Sequence, residues 1–153
     1  MVNALHGLSV VPTEFVLHLE EERLTAARRP ALDMLSHSPE QTRGFAAQLG
    51  RLLPRGSVVL LAGSIGAGKT TFVQGLARPW QLSDAVHSPT FTLVQTYATP
   101  RMPVAHLDLY RLIDERELTN LAWDEIVGSH ALVLVEWPQR AGGRLPPAHV
   151  PID

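Results

Sequence analysis

Two short runs of uninterrupted apolar residues, Val58-Val59-Leu60-Leu61-Ala62 and Ala131-Leu132-Val133-Leu134-Val135, punctuate a chain that is otherwise amphipathic. Runs of this length without polar alternation predict strands buried on both faces, as in a parallel sheet. Elsewhere the apolar positions take helical spacing. Phe45, Leu49, Leu52 and Leu53 follow Ser38-Pro39-Glu40-Gln41, which supplies an N-cap serine, a proline at the first helical position and a glutamine placed for a capping box. Pro54 and Gly56 end that segment. A second helix is predicted over residues 69–78, with Phe72, Val73, Leu76 and Ala77 on its apolar side and Pro79 beyond its end. Residues 91–97 read as a strand. Residues 103–110 read as another, whose alternation puts His106, Asp108 and Tyr110 on one face. Asp114 and Glu117 are spaced to cap a helix running through Leu118, Leu121, Ala122 and Ile126 and closed by Gly128. The tail from Gly142 reads as loop. Helix alternating with buried strand predicts an α/β fold with a largely parallel sheet.

Residues 1–37 fit this plan least. Residues 10–19 read as a strand and 20–29 as a short charged helix before Pro30, with no chemistry attached. They are expected to be an N-terminal extension, poorly ordered, ahead of one domain over residues 38–153.

Composition narrows the function classes. With 45% hydrophobic and 18% charged residues, the 153-residue chain is an ordinary globular one, large enough for a single core. A formal charge of −2 supplies no global attraction to nucleic acid or anionic membrane. The absence of cysteine excludes disulfides and thiolate metal sites and fits the cytoplasm. The seven histidines show no zinc-like spacing. No apolar stretch approaches membrane-spanning length, and the N-terminus lacks a secretion-signal pattern.

The chemistry lies directly after the first apolar run. Gly63-Ser64-Ile65-Gly66-Ala67-Gly68-Lys69-Thr70 fits G-x-x-x-x-G-K-[ST], the phosphate-binding loop of nucleoside triphosphatases. Glycines there let consecutive backbone N–H groups converge on phosphate oxygens. Lys69 is placed for the terminal phosphates, the Thr70 hydroxyl for magnesium, and Thr71 continues the helix whose N-terminus faces the phosphates. A triphosphatase also needs an acid beside the metal and a group that orients water. Glu136, which ends the second apolar run, and Asp108, near the end of the alternating strand, are the candidates. Thr90 in Ser88-Pro89-Thr90 is a candidate switch residue or a plain turn, and His106 reads as a packed strand residue rather than a base. Trp137 reads as core, with stacking on a nucleotide or partner as the alternative. There is no Asn-Lys-x-Asp for guanine selection and no arginine-rich lid of the kind small-molecule P-loop kinases use. A metabolite kinase and a non-hydrolysing nucleotide-binding adaptor remain as rivals to an ATPase.

Four blocks in order, residues 63–72, Ser88-Pro-Thr-Phe-Thr-Leu-Val94, His106-Leu-Asp-Leu-Tyr-Arg-Leu112 and Val135-Glu-Trp-Pro138, resemble the signatures of the TsaE (YjeE) ATPases over about residues 38–150. These bacterial proteins act in making threonylcarbamoyladenosine on tRNA, at the adenosine following the anticodon. The resemblance implies a P-loop NTPase-type three-layer sandwich that binds ATP and Mg2+. It also implies slow hydrolysis until the chain docks on a TsaB–TsaD pair, through which tRNA is mainly reached. By the same resemblance Lys69 holds the β/γ-phosphates, Thr70 and Glu136 hold magnesium, and Asp108 helps position metal and water. Ser88, Pro89 and Thr90 form the switch-like loop, and Thr42 matches a family threonine near the nucleotide. Tyr110 and Arg111 belong to the third block. Two departures are visible: Ser64 stands where the family usually has aspartate, and Asp153 falls roughly where the family's last strands are expected to start.

Overall fold

Contacts within the computed structural model divide the chain into two compact units, Met1–His37 and Ser38–Asp153. The structure describes residues 33–82 and 86–153 and places residues 15–16 in a strand. In the first unit, β1 (Phe15–Val16) pairs antiparallel with β2 (Asp33–Met34). The remainder of the strand expected over residues 10–19, and all of the helix expected over 20–29, lie outside the described residues.

The second unit carries α1 (Pro39–Leu52), β3 (Val58–Leu61), α2 (Lys69–Ala77), β4 (Val94–Tyr97), β5 (Val104–Asp108), α3 (Trp123–Val127), β6 (Leu132–Glu136) and β7 (Val150–Ile152). The strands form one sheet in the order β4-β5-β6-β3-β7, in which β4 is antiparallel to β5 and every other pair is parallel. Both faces are covered, as the uninterrupted apolar runs require. On one face Val59, Leu61, Leu132 and Leu134 pack with Phe72, Val73 and Leu76 of α2 and Ala46 of α1. On the other, Val58, Leu60, Val133 and Val135 pack with Leu112, Leu118 and Trp123. The result is an α/β fold with a largely parallel sheet, as the alternation of elements predicts, in the three layers that the resemblance implies.

Local signals act where they were read. The Ser38 hydroxyl accepts the Gln41 N–H at 3.2 Å, capping α1. Of the large residues expected on the apolar face of α1, Leu53 is buried and Phe45 and Leu49 pack against the core, but Leu52 is 79% exposed, and the closest contacts fall to the buried Ala46, Ala47 and Gly50. Small residues are needed because α1 and α2 approach backbone to backbone. A β-carbon on Gly75 would stand 2.5 Å from the Arg43 carbonyl oxygen, and one on Gly50 would stand 2.6 Å from that of Leu76.

Other boundaries shift. β4 begins at Val94 rather than residue 91, because residues 90–92 turn and Leu93 has φ +62°. The Asp114 capping box forms, but it opens a 3-10 segment, Glu115–Leu121. Ala122, at φ +54°, separates that segment from the short α3, so the expected single helix is two pieces. Residues Pro138–Arg144 wind as 3-10 turns broken by a kink at Gly142, whose φ +54° and ψ −128° are non-helical. Beyond it β7, which no pattern announced, adds to the edge of β3.

Candidate functional site

Strand register brings the acids together. Asp108 of β5 is paired with Glu136 of β6, and Glu136 is paired in turn with Leu61, the last residue of β3. The phosphate-loop sequence begins two residues after Leu61, so Glu136 ends one strand from that loop and Asp108 two strands away. His106, Asp108 and Glu136 share the sheet face on which α2 packs, since alternate residues of paired parallel strands point to the same side. The strand read as alternating is buried along its whole length, with His106 0% and Asp108 3% exposed. Among the described residues, the buried ionisable side chains are Lys69, His106, Asp108 and Glu136, and each finds a polar partner, as burial of such groups demands.

Gly63, Gly66 and Gly68 take φ +120°, +79° and +97°, conformations that L side chains rarely adopt. They turn the chain from β3 into α2, whose first N–H groups, at Lys69, Thr70 and Thr71, have no carbonyl one turn back to bond. Lys69 Nζ donates to the carbonyls of Gly63 at 3.0 Å and Ser64 at 2.8 Å, and lies 4.1 Å from the centre of the Trp137 ring. The Ala67 N–H also bonds the Ser64 carbonyl, at 3.2 Å, so that residue serves the loop through its backbone. Thr70 Oγ1 donates to Glu136 Oε1 at 2.9 Å, and His106 Nε2 stands 3.0 Å from the same oxygen.

Asp108 is engaged differently. Its Oδ1 accepts the Tyr110 N–H at 2.9 Å, while Oδ2 takes the hydroxyls of Ser88 at 2.8 Å and Thr90 at 2.5 Å. Those hydroxyls are 2.6 Å from each other, so two protons serve three contacts. The Leu93 N–H bonds the Pro89 carbonyl at 2.6 Å, closing the loop. A cavity of about 420 Å3 lies between these groups, lined by Ile65, Gly66, Gly68, Lys69, Thr70, Thr71, Ser88, Thr90, Asp108, Tyr110, Glu136 and Trp137.

The structure thus gathers Lys69, Thr70, Thr71, Ser88, Thr90, Asp108 and Glu136 around one cavity. Thr42 is not among its lining residues; it bonds the Ser38 carbonyl in the first turn of α1. Two contributors were underread in the sequence. His106 shares parity with Asp108 two residues on, which was the available signal that it faces the same site. Trp137 sits half-buried at φ +59°, held by its N–H to the Leu61 carbonyl at 3.2 Å, with its ring 5.0 Å from that of Tyr110. It packs against the core and also walls the cavity.

Strand, glycine loop and helix, on a sheet whose neighbouring strand ends in an acid bonded to the loop, define an α/β protein of the P-loop NTPase type. Residues 36–153 match the family described as threonylcarbamoyl adenosine biosynthesis protein TsaE. The chain belongs to the TsaE family. Proteins named tRNA threonylcarbamoyladenosine biosynthesis protein TsaE are 42% identical over 104 residues in Nostoc sp. and 37% identical over 119 residues in Treponema pallidum. These matches cover 66% and 78% of this chain, and 64% and 87% of the relatives. The match therefore spans less than two thirds of the Nostoc protein. The crystal structure of Bacillus subtilis YdiB superposes with a TM-score of 0.62 at 29% identity, covering 76% of this chain and 71% of that one. Among the described residues, no helix is long and apolar enough to cross a membrane.

Proposed function

We propose that this chain binds ATP with Mg2+ and hydrolyses it in the cytoplasm to support threonylcarbamoylation of tRNA by a TsaB–TsaD pair. The observation that carries the reading is the Thr70–Glu136 hydrogen bond, which sets a phosphate-loop hydroxyl beside a strand-end carboxylate at the mouth of a glycine loop. Magnesium takes hard oxygen ligands and is commonly held by one or two carboxylates plus substrate phosphates rather than by an all-protein cage. One hydroxyl and one buried carboxylate fit that habit, and no group of three metal-ligating side chains occurs among the described residues. Thr70 and Glu136 would hold the ion, and when bound it would draw negative charge from the phosphates.

The chain's own residues supply the rest. Lys69, parked on two loop carbonyls and the Trp137 ring, exchanges those weaker partners for phosphate oxygens. The N–H groups of the first turn of α2 add donors on the same side. Asp108 holds Ser88 and Thr90, so the switch-like loop is tied to the carboxylate to which we assign the orienting of water. A partner that pulls the loop away changes what Asp108 can accept, which gives a physical route from docking to turnover.

With a formal charge of −2, the chain is expected to reach tRNA mainly through its partners. ATP turnover by the purified chain, alone and with TsaB–TsaD plus tRNA, tests the proposal. Stimulation by the complex is expected. Phosphate transfer to a small acceptor without the complex would favour a kinase, and binding without turnover in the full assembly would favour an adaptor.

A further inference from the structure

His106 lies in the middle of β5, 0% exposed, with Nε2 3.0 Å from Glu136 Oε1, while its Nδ1 is buried without a hydrogen-bond partner. A carboxylate can only accept, so the proton at this contact sits on Nε2. A second proton on Nδ1 would be a buried donor with nothing to receive it, which is costly. At this contact the ring therefore donates through Nε2. We infer that His106 is a positioning residue that fixes the orientation of the Glu136 carboxylate, a role resting on the ATP–magnesium reading above.

Three features carry it. First, His106 Nε2 and Thr70 Oγ1 converge on one oxygen, Oε1, and so fix how the carboxylate is turned. Second, the donor is an imidazole, which needs no permanent charge to orient the carboxylate, whereas a lysine or arginine here would form a fixed ion pair with Glu136. Third, the ring is anchored by burial on β5, whereas Thr70 belongs to the loop and helix that receive the ligand. Groups that orient a metal-binding side chain in this way are commonly worth about 10–100-fold in affinity.

The test uses the full chain and a fluorescent ATP analogue, titrated in EDTA and across a magnesium series. His106→Leu, which keeps the site apolar and removes the donor, is expected to raise the half-saturating magnesium concentration about tenfold. Affinity in EDTA should stay within about twofold, because the lost contact matters only when the cation is present. His106→Gln, whose side-chain amide can present an N–H near the position of Nε2, is expected to recover most of the loss. Equal magnesium dependence in His106→Leu and wild type, or His106→Gln falling as far as His106→Leu, would overturn the inference. A second readout needs no nucleotide. Nitrogen-15 spectra of the His106 ring should show a protonated Nε2 and a bare Nδ1, and the Nε2–H signal should move in Glu136→Gln. A protonated Nδ1, or no response to that substitution, would overturn it equally. A wild-type chain that binds no nucleotide defeats the ATP reading instead, and the ring spectra then decide whether His106 holds Glu136.

Discussion

Thr70 and Glu136, 66 residues apart in sequence, meet through a 2.9 Å hydrogen bond, although neither strand nor helix brings them close by itself. The contact exists because β6 lies beside β3 and ends level with it, Glu136 opposite Leu61. Asp108, one strand farther out, meets Ser88 and Thr90 instead. Two carboxylates paired across neighbouring strands thus have different partners, and from that difference come different expected phenotypes.

Glu136→Gln keeps volume and removes a negative charge beside the proposed cation. Turnover and magnesium dependence should fall together, by about a hundredfold or more, while metal-free nucleotide binding persists. Magnesium titrations of ATP turnover in the presence of partners read both. An unchanged magnesium midpoint would remove Glu136 from the metal.

Asp108→Asn replaces a carboxylate that accepts two hydroxyls and a backbone N–H. Its amide retains one acceptor oxygen, so the Ser88–Thr90 loop should loosen. Faster amide hydrogen exchange over residues 88–93 is expected, with turnover reduced about tenfold and magnesium affinity little changed. If magnesium affinity falls more than in Glu136→Gln, the two acids have exchanged roles.

Lys69→Ala removes the ammonium that bridges the loop carbonyls and faces the cavity. Loss of a charge-assisted contact to phosphate should weaken ATP binding about a hundredfold, near 2.7 kcal/mol. Calorimetric titration of ATP into both chains measures it, and equal affinities would refute the phosphate-loop assignment.

Gly75→Ala puts a methyl 2.5 Å from the Arg43 carbonyl oxygen and 2.7 Å from the Ala46 side chain, so α1 and α2 must move apart. Overpacking of this kind costs about 1–3 kcal/mol. A lower denaturation midpoint is expected, and Gly44→Ala, where a β-carbon meets nothing within 4 Å, is the control that should not lower it.

Acid should weaken the surface tie between the same helices. The Arg78 guanidinium bonded to Glu40, with Arg43 beside it, holds that carboxyl down at about 2 against an ordinary 4.5. A folded value below the unfolded one means the contribution is present above pH 4.5 and is lost as pH falls towards 2. The side chain is 66% exposed, so the effect is small and screened by salt. Thermal melts should show wild type losing slightly more stability than Glu40→Gln over that range at low ionic strength. Identical slopes would discount the pair.

Much of what is decided within a few neighbouring residues was legible in the chain before folding. Glycines at 63, 66 and 68 announce the loop because few other residues tolerate those backbone angles, and Ser38 announces α1 because its hydroxyl reaches an N–H three residues on. The apolar runs announce β3 and β6 because a strand buried on both faces has nowhere to put polar atoms. Pairing between distant segments leaves no such mark. Periodicity reports that a face is buried but not what lies against it. That is why Leu52 reads as core and is exposed, and why the glycines that let α1 and α2 touch drew no notice. His106 passed for packing for the same reason, since its partner is 30 residues away on another strand. β7 is three residues long with a proline at its centre, too short for any pattern, and β3 alone gives it a place. The glycine loop is a local property of the sequence; the choice of which acid bonds Thr70 and which holds Ser88 and Thr90 belongs to the strand order.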